Sequence, residues 1–275
     1  MVFAIIGGDE RQIYLRQKLR RDGHTGRMCG FERHSSHISC LKVGDALFGA
    51  DCVILPLPSS KDGKTVWTPL GTEEILLCDL PKAAGKKTLF LTALTPIGAA
   101  RECDYFAKEE LTVLNAALTA EGAVASAINN TSRALLGANC LVAGFGRIGK
   151  LLCSRLLPFG AKVYATSRRP ETMAWIRSYG FEGIDIGEVE RNADKFDIIF
   201  NTAPQPLFTR NILTRLKSDC VFIELASPPF GIDFEAAEEL GIKVIKASGL
   251  PAKTAPEAAA EIIYDTVKNI INQKI

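Results

Sequence analysis

Short runs of apolar, often β-branched residues alternate along the chain with segments of helical periodicity. In the first half, strands are predicted at 2–6, 27–31, 51–57 and 88–92. Helices are predicted near 10–21, 73–79 and 108–118. After residue 139 a second series begins, with later strands expected near 162–167, 197–201, 220–225 and 242–245. Regular alternation of strand and helix favours parallel sheets covered by helices.

Two long helical patterns connect and end these series. The stretch "TAEGAVASAINNTSRALLG", 119–137, predicts a connector helix, and "PEAAAEIIYDTVKNIINQKI" predicts a C-terminal helix with one apolar stripe. Because such a stripe must be buried, we expect it to cross back onto the first lobe. The predicted fold class is therefore α/β, with two Rossmann-like lobes of parallel sheet joined by long helices. The expected domains are 1–122, with 255–275 packing on it, and 123–254.

Composition narrows the class of protein. The 275 residues carry a net charge of +2, with 47% hydrophobic and 23% charged residues, so nothing indicates binding to nucleic acid or an anionic membrane. No apolar run looks long enough for a signal peptide or a membrane span. The eight cysteines never occur as Cys-x-x-Cys, which favours reduced thiols in a cytoplasmic protein. Neither they nor His24, His34 and His37 are paired like metal ligands, so no metal site is expected.

The two halves open alike, with "FAIIGGDERQIYLRQKL" beside "CLVAGFGRIGKLLCSRL". Both predict a strand, a glycine turn and a helix. When the turns are aligned, Asp9 stands where the second copy has Gly146, and Gln12 where it has Gly149. A carboxylate at the middle position would crowd and repel a pyrophosphate. The first lobe is therefore expected to be Rossmann-like but unsuited to a dinucleotide.

The second copy carries the fingerprint Gly-x-Gly-x-x-Gly between an apolar strand and a helix. The first glycine permits a tight turn, the second lets backbone approach the pyrophosphate, and the third lets helix and strand pack closely. Glycines also serve ordinary turns, but here strand, helix and following strand all stand in the expected order. The predicted cofactor-binding residues of this turn are Gly144, Phe145, Gly146, Arg147, Ile148 and Gly149.

The next strand ends in Ser167-Arg168-Arg169. An NAD site usually has Asp or Glu there, to bind the ribose 2′-hydroxyl of the adenosine. NADP carries a phosphate at that oxygen, which a carboxylate repels, whereas a serine hydroxyl and an arginine can bind it. Two arginines at a strand end are also common as solvated surface. The absence of an acid together with the presence of bases favours NADP over NAD.

Later loops supply further candidates for the cofactor, since ligands bind beyond the carboxyl ends of parallel strands. Asn201, Thr202 and Ser227 could meet the nicotinamide ribose or carboxamide, although such residues also form loops by propensity alone. The predicted contacts after these strands are Asn201, Thr202, Ala203, Pro204, Ala226, Ser227 and, from "SGLPAKTAP", Gly249.

Four longer blocks are similar to one family. They are "IIGGDERQIYLRQKL", "VILPLPSSKDGKTV", "DYFAKEELTVLNAALTAEGA" leading into "LVAGFGRIGK", and "ELASPPFGIDFEAAEELGIKVIKASGLPAKTAP". On these blocks the chain resembles the A-subunit of bacterial dipicolinate synthase over nearly its whole length. The resemblance implies an NADP-dependent oxidoreductase that forms pyridine-2,6-dicarboxylate from dihydrodipicolinate during endospore formation. It also implies a partner, the flavoprotein-like dipicolinate synthase B-subunit, and the mother-cell cytoplasm.

Such a substrate is a small dianion, and its oxidation removes a hydride and a proton. Because aromatisation drives the step, positioning of the ring could supply much of the catalysis. The expected substrate contacts are Ser59, Ser60, Lys61, Asn115 and Thr119, although Thr119 could equally be a helix cap. No nucleophile–base set is apparent, and Lys61 and Glu121 are the candidates for catalytic groups.

Two other functions stay open at this point. One is an NADP dehydrogenase for another small carboxylic acid, of the shikimate or 2-hydroxyacid type. The other is a protein that binds NADPH for regulation or as a scaffold and performs no chemistry. A homo-oligomer is expected.

Overall fold

A computed structural model describes residues 1–36 and 38–274, so His37 lies outside the described residues. The chain divides into two compact units. We call Met1–Asn115 with Pro251–Ile275 the N-terminal unit, and Ala116–Leu250 the central unit. The domain limits expected from the sequence, after residues 122 and 254, stay a prediction.

Within the described residues, the N-terminal unit contains one parallel sheet of five strands. They are β1 (Val2–Ile6), β2 (Thr25–Cys29), β3 (Cys52–Ile54), β4 (Leu89–Thr92) and β5 (Glu102–Asp104), in the order β2-β1-β3-β4-β5. The helices of this part of the chain are α1 (Glu10–Arg21), α2 (Val43–Leu47) and α3 (Leu80–Ala83), with α10 (Leu250–Thr254) and α11 (Pro256–Lys274) following the central unit. The strand order reverses between β1 and β3, and a crevice forms at the carboxyl ends of strands at such a point.

The apolar stripe of α11 is buried within this unit. Ile263, Val267 and Ile270 are at most 2% exposed and pack in one cluster with Leu15 and Leu19 of α1. The Tyr264 hydroxyl donates a hydrogen bond to Asp22, just beyond the end of α1. The C-terminal helix thus covers the helix that follows the first strand.

The central unit contains six parallel strands in the order β11-β10-β9-β6-β7-β8. These strands are β6 (Asn139–Ala143), β7 (Lys162–Ser167), β8 (Glu182–Asp185), β9 (Ile198–Asn201), β10 (Val221–Glu224) and β11 (Lys243–Lys246). The helices between them are α5 (Arg147–Leu156), α6 (Pro170–Ser178), α7 (Val189–Asn192), α8 (Arg210–Leu213) and α9 (Phe234–Glu239). This is the strand order of the dinucleotide-binding Rossmann fold, with its reversal between β6 and β9. The predicted fold class, with two parallel α/β lobes, is confirmed.

One helix, α4 (Glu109–Asn130), replaces the two helices predicted at 108–118 and 119–137. Small residues sustain it without a break, and it ends before Thr131, whose hydroxyl accepts a hydrogen bond from the N–H of Arg133 at 3.1 Å. Thr119 therefore lies inside a helix, and its role as a cap is wrong. By length and composition α4 could cross a membrane, contrary to expectation, but core helices of soluble proteins pass the same test.

The strands that the sequence missed are the short edge strands β5 and β8. An edge strand pairs with a neighbour on one side only. These two strands contain charged residues instead of an apolar run. The helix expected near 73–79 is a 3₁₀ turn, Leu77–Asp79, that leads into α3. The predicted strand 27–31 begins two residues earlier, at Thr25.

All eight cysteines are free thiols. Burial raises the pKa of Cys140, Cys153 and Cys220 to about 12, so these thiols stay protonated at neutral pH. They act as small apolar groups in the core of the central unit.

We expect Ile263→Ala to lower the free energy of unfolding by about 2–5 kcal/mol, because it leaves a cavity under α11. Denaturant unfolding followed by circular dichroism measures the loss. The control, Asn269→Ala, lies on the exposed side of the same helix and should change stability by about 0.5 kcal/mol or less. An Ile263→Ala protein as stable as the control would contradict the packing of α11.

Candidate functional site

The glycine fingerprint forms a tight turn between β6 and α5. Gly144 has a φ of 96°, and a Cβ there would lie 2.6 Å from the Thr202 hydroxyl oxygen. A Cβ on Gly149 would lie 2.2 Å from the carbonyl oxygen of Gly144, so only glycine lets α5 approach the turn. A Cβ on Gly146 would meet nothing within 4 Å. The middle glycine thus faces open space while the other two are enclosed.

Among the described residues, no side chain caps the N-terminus of α5, where Gly146 is the N-cap residue. A helix N-terminus carries N–H groups without helical partners and a partial positive charge. An uncapped N-terminus beside open space is suited to a phosphate group.

The corresponding helix of the N-terminal unit has the opposite arrangement. Asp9 caps α1 by accepting from the N–H of Arg11 at 3.1 Å, and Gln12 reaches back to accept from the N–H of Asp9 at 3.1 Å. The N–H of Gly8 donates to the Trp67 carbonyl at 2.9 Å. Protein groups therefore fill the place that stays open at α5.

The crevice between the ends of β1 and β3 is bridged as well. The buried Arg11 side chain makes two hydrogen bonds of 2.9 Å to Asp9 and donates to the Leu57 carbonyl at 2.6 Å. This pair joins the turn after β1 to the segment after β3 and leaves the N-terminal unit without an open phosphate site at this position.

A cavity of about 340 Å³ lies at the carboxyl edge of the central sheet. Its wall includes the turn Gly144–Gly146, the end of β7 at Thr166–Arg169, and Ala203–Gln205 with Leu207 after β9. The Thr166 hydroxyl accepts from the N–H of Gly144 at 3.0 Å and so joins the first two segments. The cavity lies beside the reversal of strand order, where a ligand is expected.

The predicted Ser167-Arg168-Arg169 group is part of this wall. Arg168 and Arg169 are exposed, and the Ser167 hydroxyl accepts from the N–H of Arg169 at 3.1 Å. The Arg169 guanidinium lies 3.5 Å from the Glu171 carboxylate, a contact between two exposed groups that is weak in water. Both guanidinium groups are therefore accessible to an anion.

Asn201 was expected to contact a ligand, but its side chain bonds to other groups of the protein. It is fully buried, and its amide donates to the Glu224 carboxylate at 2.8 Å and to the Ala203 carbonyl at 3.0 Å. Thr202 donates through its hydroxyl to the Ala143 carbonyl at 2.9 Å. Of the predicted loop, Ala203 and Pro204 line the cavity.

The sequence pattern did not reveal Glu224, which is 1% exposed at the end of β10. Burial raises the pKa of its carboxyl group. The sequence feature that could have indicated this residue is a single acidic residue in the apolar run "CVFIELA". Ala226 donates to it through its N–H at 2.9 Å, whereas Ser227 and Gly249 are exposed and lie outside the cavity wall described here.

The candidate substrate loop of the N-terminal unit is held by its own serines. The buried Ser59 hydroxyl accepts from the N–H of Ala93 at 2.8 Å, and the Ser60 hydroxyl donates to Asp62 at 2.8 Å. Lys61 is exposed, with its Nζ atom 4.5 Å from the centre of the Trp67 ring. The serines thus shape the loop, and the lysine projects a charge from it.

The remaining candidates lie on α4. Glu121 pairs with Arg155 at 3.1 Å. Thr119 is 8% exposed, Asn115 is half-buried, and both make contacts of their own. Over residues 1–36 and 38–274, no group of three His, Cys, Asp or Glu side chains could hold a metal ion.

Comparison with known families divides the chain in two. Residues 2–110 match the N-terminal domain of the dipicolinate synthase A-subunit. Residues 111–228 match the NAD binding domain of D-isomer specific 2-hydroxyacid dehydrogenases. The second match includes the glycine turn and β7, so the central unit is a nicotinamide dinucleotide-binding domain of the oxidoreductase type.

Relatives extend over nearly the full length. The dipicolinate synthase A-subunit of Bacillus subtilis (strain 168) is 26% identical over 282 residues, covering 98% of this chain and 95% of that protein. The crystal structure of the same protein from Bacillus halodurans has a TM-score of 0.87 at 27% identity, covering 98% of this chain and 96% of that one. The crystal structure from Bacillus subtilis gives a TM-score of 0.86 at 25% identity, covering 98% and 95%. These matches confirm the resemblance predicted from the sequence: the chain is a homologue of the dipicolinate synthase A-subunit.

Proposed function

We propose that the chain is an NADP-dependent oxidoreductase that converts dihydrodipicolinate to dipicolinate. The observation that carries the proposal is the uncapped N-terminus of α5 in one cavity with Ser167, Arg168 and Arg169. The names of the full-length relatives support the product, and the matched NAD-binding domain supports the cofactor class.

The cavity offers one group for the pyrophosphate of NADP and another for its 2′-phosphate. The pyrophosphate would lie at the N-terminus of α5, where Gly146 leaves room and the helix dipole favours negative charge. The 2′-phosphate would accept hydrogen bonds from Ser167 and from Arg168 or Arg169, since an arginine fork matches phosphate geometry. When bound, NADP supplies the acceptor for a hydride. The residues of the chain bind and orient it.

For the substrate we propose Lys61, Asn115 and Thr119 as contacts, with Ser59 and Ser60 fixing the loop that carries Lys61. An exposed ammonium group suits one carboxylate of a dianion. Lys61 and Glu121 are the proposed acid–base groups, and Glu121 would have to leave Arg155 to accept a proton. Aromatisation makes the oxidation favourable, so orientation of the ring accounts for much of the expected rate.

The relatives are named as one component of a synthase, which supports a second chain in the working enzyme. We propose that this partner is a flavoprotein-like B-subunit, that the chain itself is a homo-oligomer, and that it works in the mother-cell cytoplasm of a sporulating bacterium.

Two alternatives have a specific basis. The match of residues 111–228 is to 2-hydroxyacid dehydrogenases, which favours oxidation of another small acid. That match covers the dinucleotide domain, however, whereas residues 2–110 match the dipicolinate synthase model. The pairing of Glu121 with Arg155 fits a chain that binds NADPH and performs no chemistry.

The direct test uses the purified chain without a partner. With freshly generated dihydrodipicolinate and NADP, we expect NADPH and dipicolinate to appear in equal amounts, well above the spontaneous rate. Both are followed by absorbance. Binding of NADPH without turnover would assign the chemistry to a complex with the second subunit or favour the non-catalytic alternative. Turnover of a 2-hydroxyacid alone would favour the other dehydrogenase.

We expect Gly146→Asp to abolish dinucleotide binding while the protein stays folded. The new Cβ meets nothing, and a carboxylate there can cap α5 as Asp9 caps α1, which should change stability by only a few tenths of a kcal/mol. Calorimetric titration with NADPH and thermal unfolding measure the two effects. Gly146→Ala is the uncharged control and should keep more affinity. Full activity of Gly146→Asp would exclude chemistry that uses this cavity.

We expect Arg168→Asp with Arg169→Ala to shift preference from NADPH to NADH. Loss of one charge-assisted hydrogen bond to phosphate costs on the order of 1.5–3 kcal/mol, or about tenfold to hundredfold in affinity. Binding titrations with both dinucleotides measure the ratio. Arg177→Asp, an exposed change of charge on α6, is the control and should leave the ratio unchanged. An unchanged ratio of NADPH affinity to NADH affinity in the double variant would mean that these arginines do not bind the 2′-phosphate.

A further inference from the structure

A carboxylate is buried at the end of β10 and receives three hydrogen bonds. Oε1 of Glu224 accepts from the Asn201 amide at 2.8 Å and from the N–H of Ala226 at 2.9 Å. Oε2 accepts from the N–H of Gly231 at 3.0 Å. All three partners are donors, so the ionised form satisfies them better than a protonated carboxyl would.

Such a group is costly at this position. The strand Val221–Glu224 is buried throughout, and an apolar side chain would avoid the cost of taking a charge out of water. Burial raises the pKa of Glu224, and its three donors oppose that rise only in part. What the carboxylate provides is a fixed geometry for the three groups that it holds.

Two of these groups lead to the wall of the dinucleotide cavity. Through Asn201, the carboxylate fixes Ala203, whose carbonyl accepts from the same amide at 3.0 Å. Through Gly231, it fixes Leu207, because the Gly231 carbonyl accepts from the N–H groups of Leu207 at 3.0 Å and Phe208 at 2.8 Å. Ala203 and Leu207 both line the cavity. One side chain therefore sets two points of the segment 203–207.

The packing leaves this arrangement little freedom. A Cβ on Gly231 would lie 2.2 Å from the amide nitrogen of Asn201 and 3.0 Å from the Ala203 carbonyl oxygen. The segments after β9 and β10 thus meet at backbone distance, with Glu224 between them. A shift of one segment must move the other.

We propose that Glu224 is a positioning residue for the dinucleotide: it touches no cofactor itself but holds the segment 203–207 in the conformation that forms one wall of the cavity. This inference rests on the proposed binding of a dinucleotide there. A group that only stabilised the fold would alter the fraction of folded protein and leave the affinity of that fraction unchanged.

The test variant is Glu224→Gln, which keeps the shape and sets an NH₂ group against one of the N–H donors. We expect the KM for NADP, and the Kd for NADPH, to rise roughly tenfold, with a smaller change in kcat per folded molecule. Glu238→Gln, the same chemical change at an exposed site of α9, is the control and should match the wild type. Unchanged KM and Kd in a folded Glu224→Gln protein would overturn the positioning role.

Hydrogen exchange of the wild type gives a second, independent result. Addition of NADPH should slow exchange at the amides of Leu207, Phe208 and Gly231, and Glu224→Gln should speed it there without ligand. If the variant does not fold, the wild-type result decides: unprotected amides in the complex would refute the inference. A wild-type protein that binds neither NADPH nor NADH would contradict the proposed function itself, whereas normal binding by Glu224→Gln contradicts the positioning role alone.

Discussion

The proposed function of this chain depends on which helix N-terminus is left without a side-chain cap. Both units place a glycine turn and a helix after their first strand. In the N-terminal unit, Asp9 and Gln12 satisfy the end of α1 in a reciprocal capping box. In the central unit, Gly146 provides no side chain, and the end of α5 faces a cavity. The same local fold therefore gives a capped helix end in one unit and an uncapped helix end beside a cavity in the other.

The walls of that cavity are held by different kinds of interaction. On one side, the Thr166 hydroxyl joins the glycine turn to β7 by accepting from the N–H of Gly144, and the Thr202 hydroxyl joins the segment after β9 to the end of β6 by donating to the Ala143 carbonyl. On the other side, a buried carboxylate sets the segment after β9. At its rim stand two exposed arginines, whose charge is not neutralised by a strong ion pair. Hydroxyl groups therefore fix the turn, a buried carboxyl group sets the far segment, and exposed cations at the rim would select the ligand.

The sequence predicted those features of the fold and of the candidate site that depend only on residues close together along the chain. The fingerprint glycines, the arginines at the end of β7 and the stripe of α11 follow from spacing and periodicity alone. Partners distant in sequence could not be predicted in this way. Asn201 was expected to meet a ligand, but its amide bonds to Glu224, and that pairing depends on the alignment of β9 with β10. Short edge strands were missed because their polar residues show no apolar pattern.

The uncapped helix end and the buried carboxyl group both lower the stability of the free protein. Relative to glycine, a side-chain cap on a helix is worth roughly a few tenths of a kcal/mol, and α5 lacks it at the turn where a ligand's phosphate can take its place. Burial of a carboxyl group likewise costs free energy that an apolar residue would save. Because a ligand stabilises the state that it binds, part of the stability lost in the free protein returns on binding. The N-terminal unit, with its capped α1, has no such deficit at the equivalent turn, and this difference is the physical reason to assign the dinucleotide to the central unit.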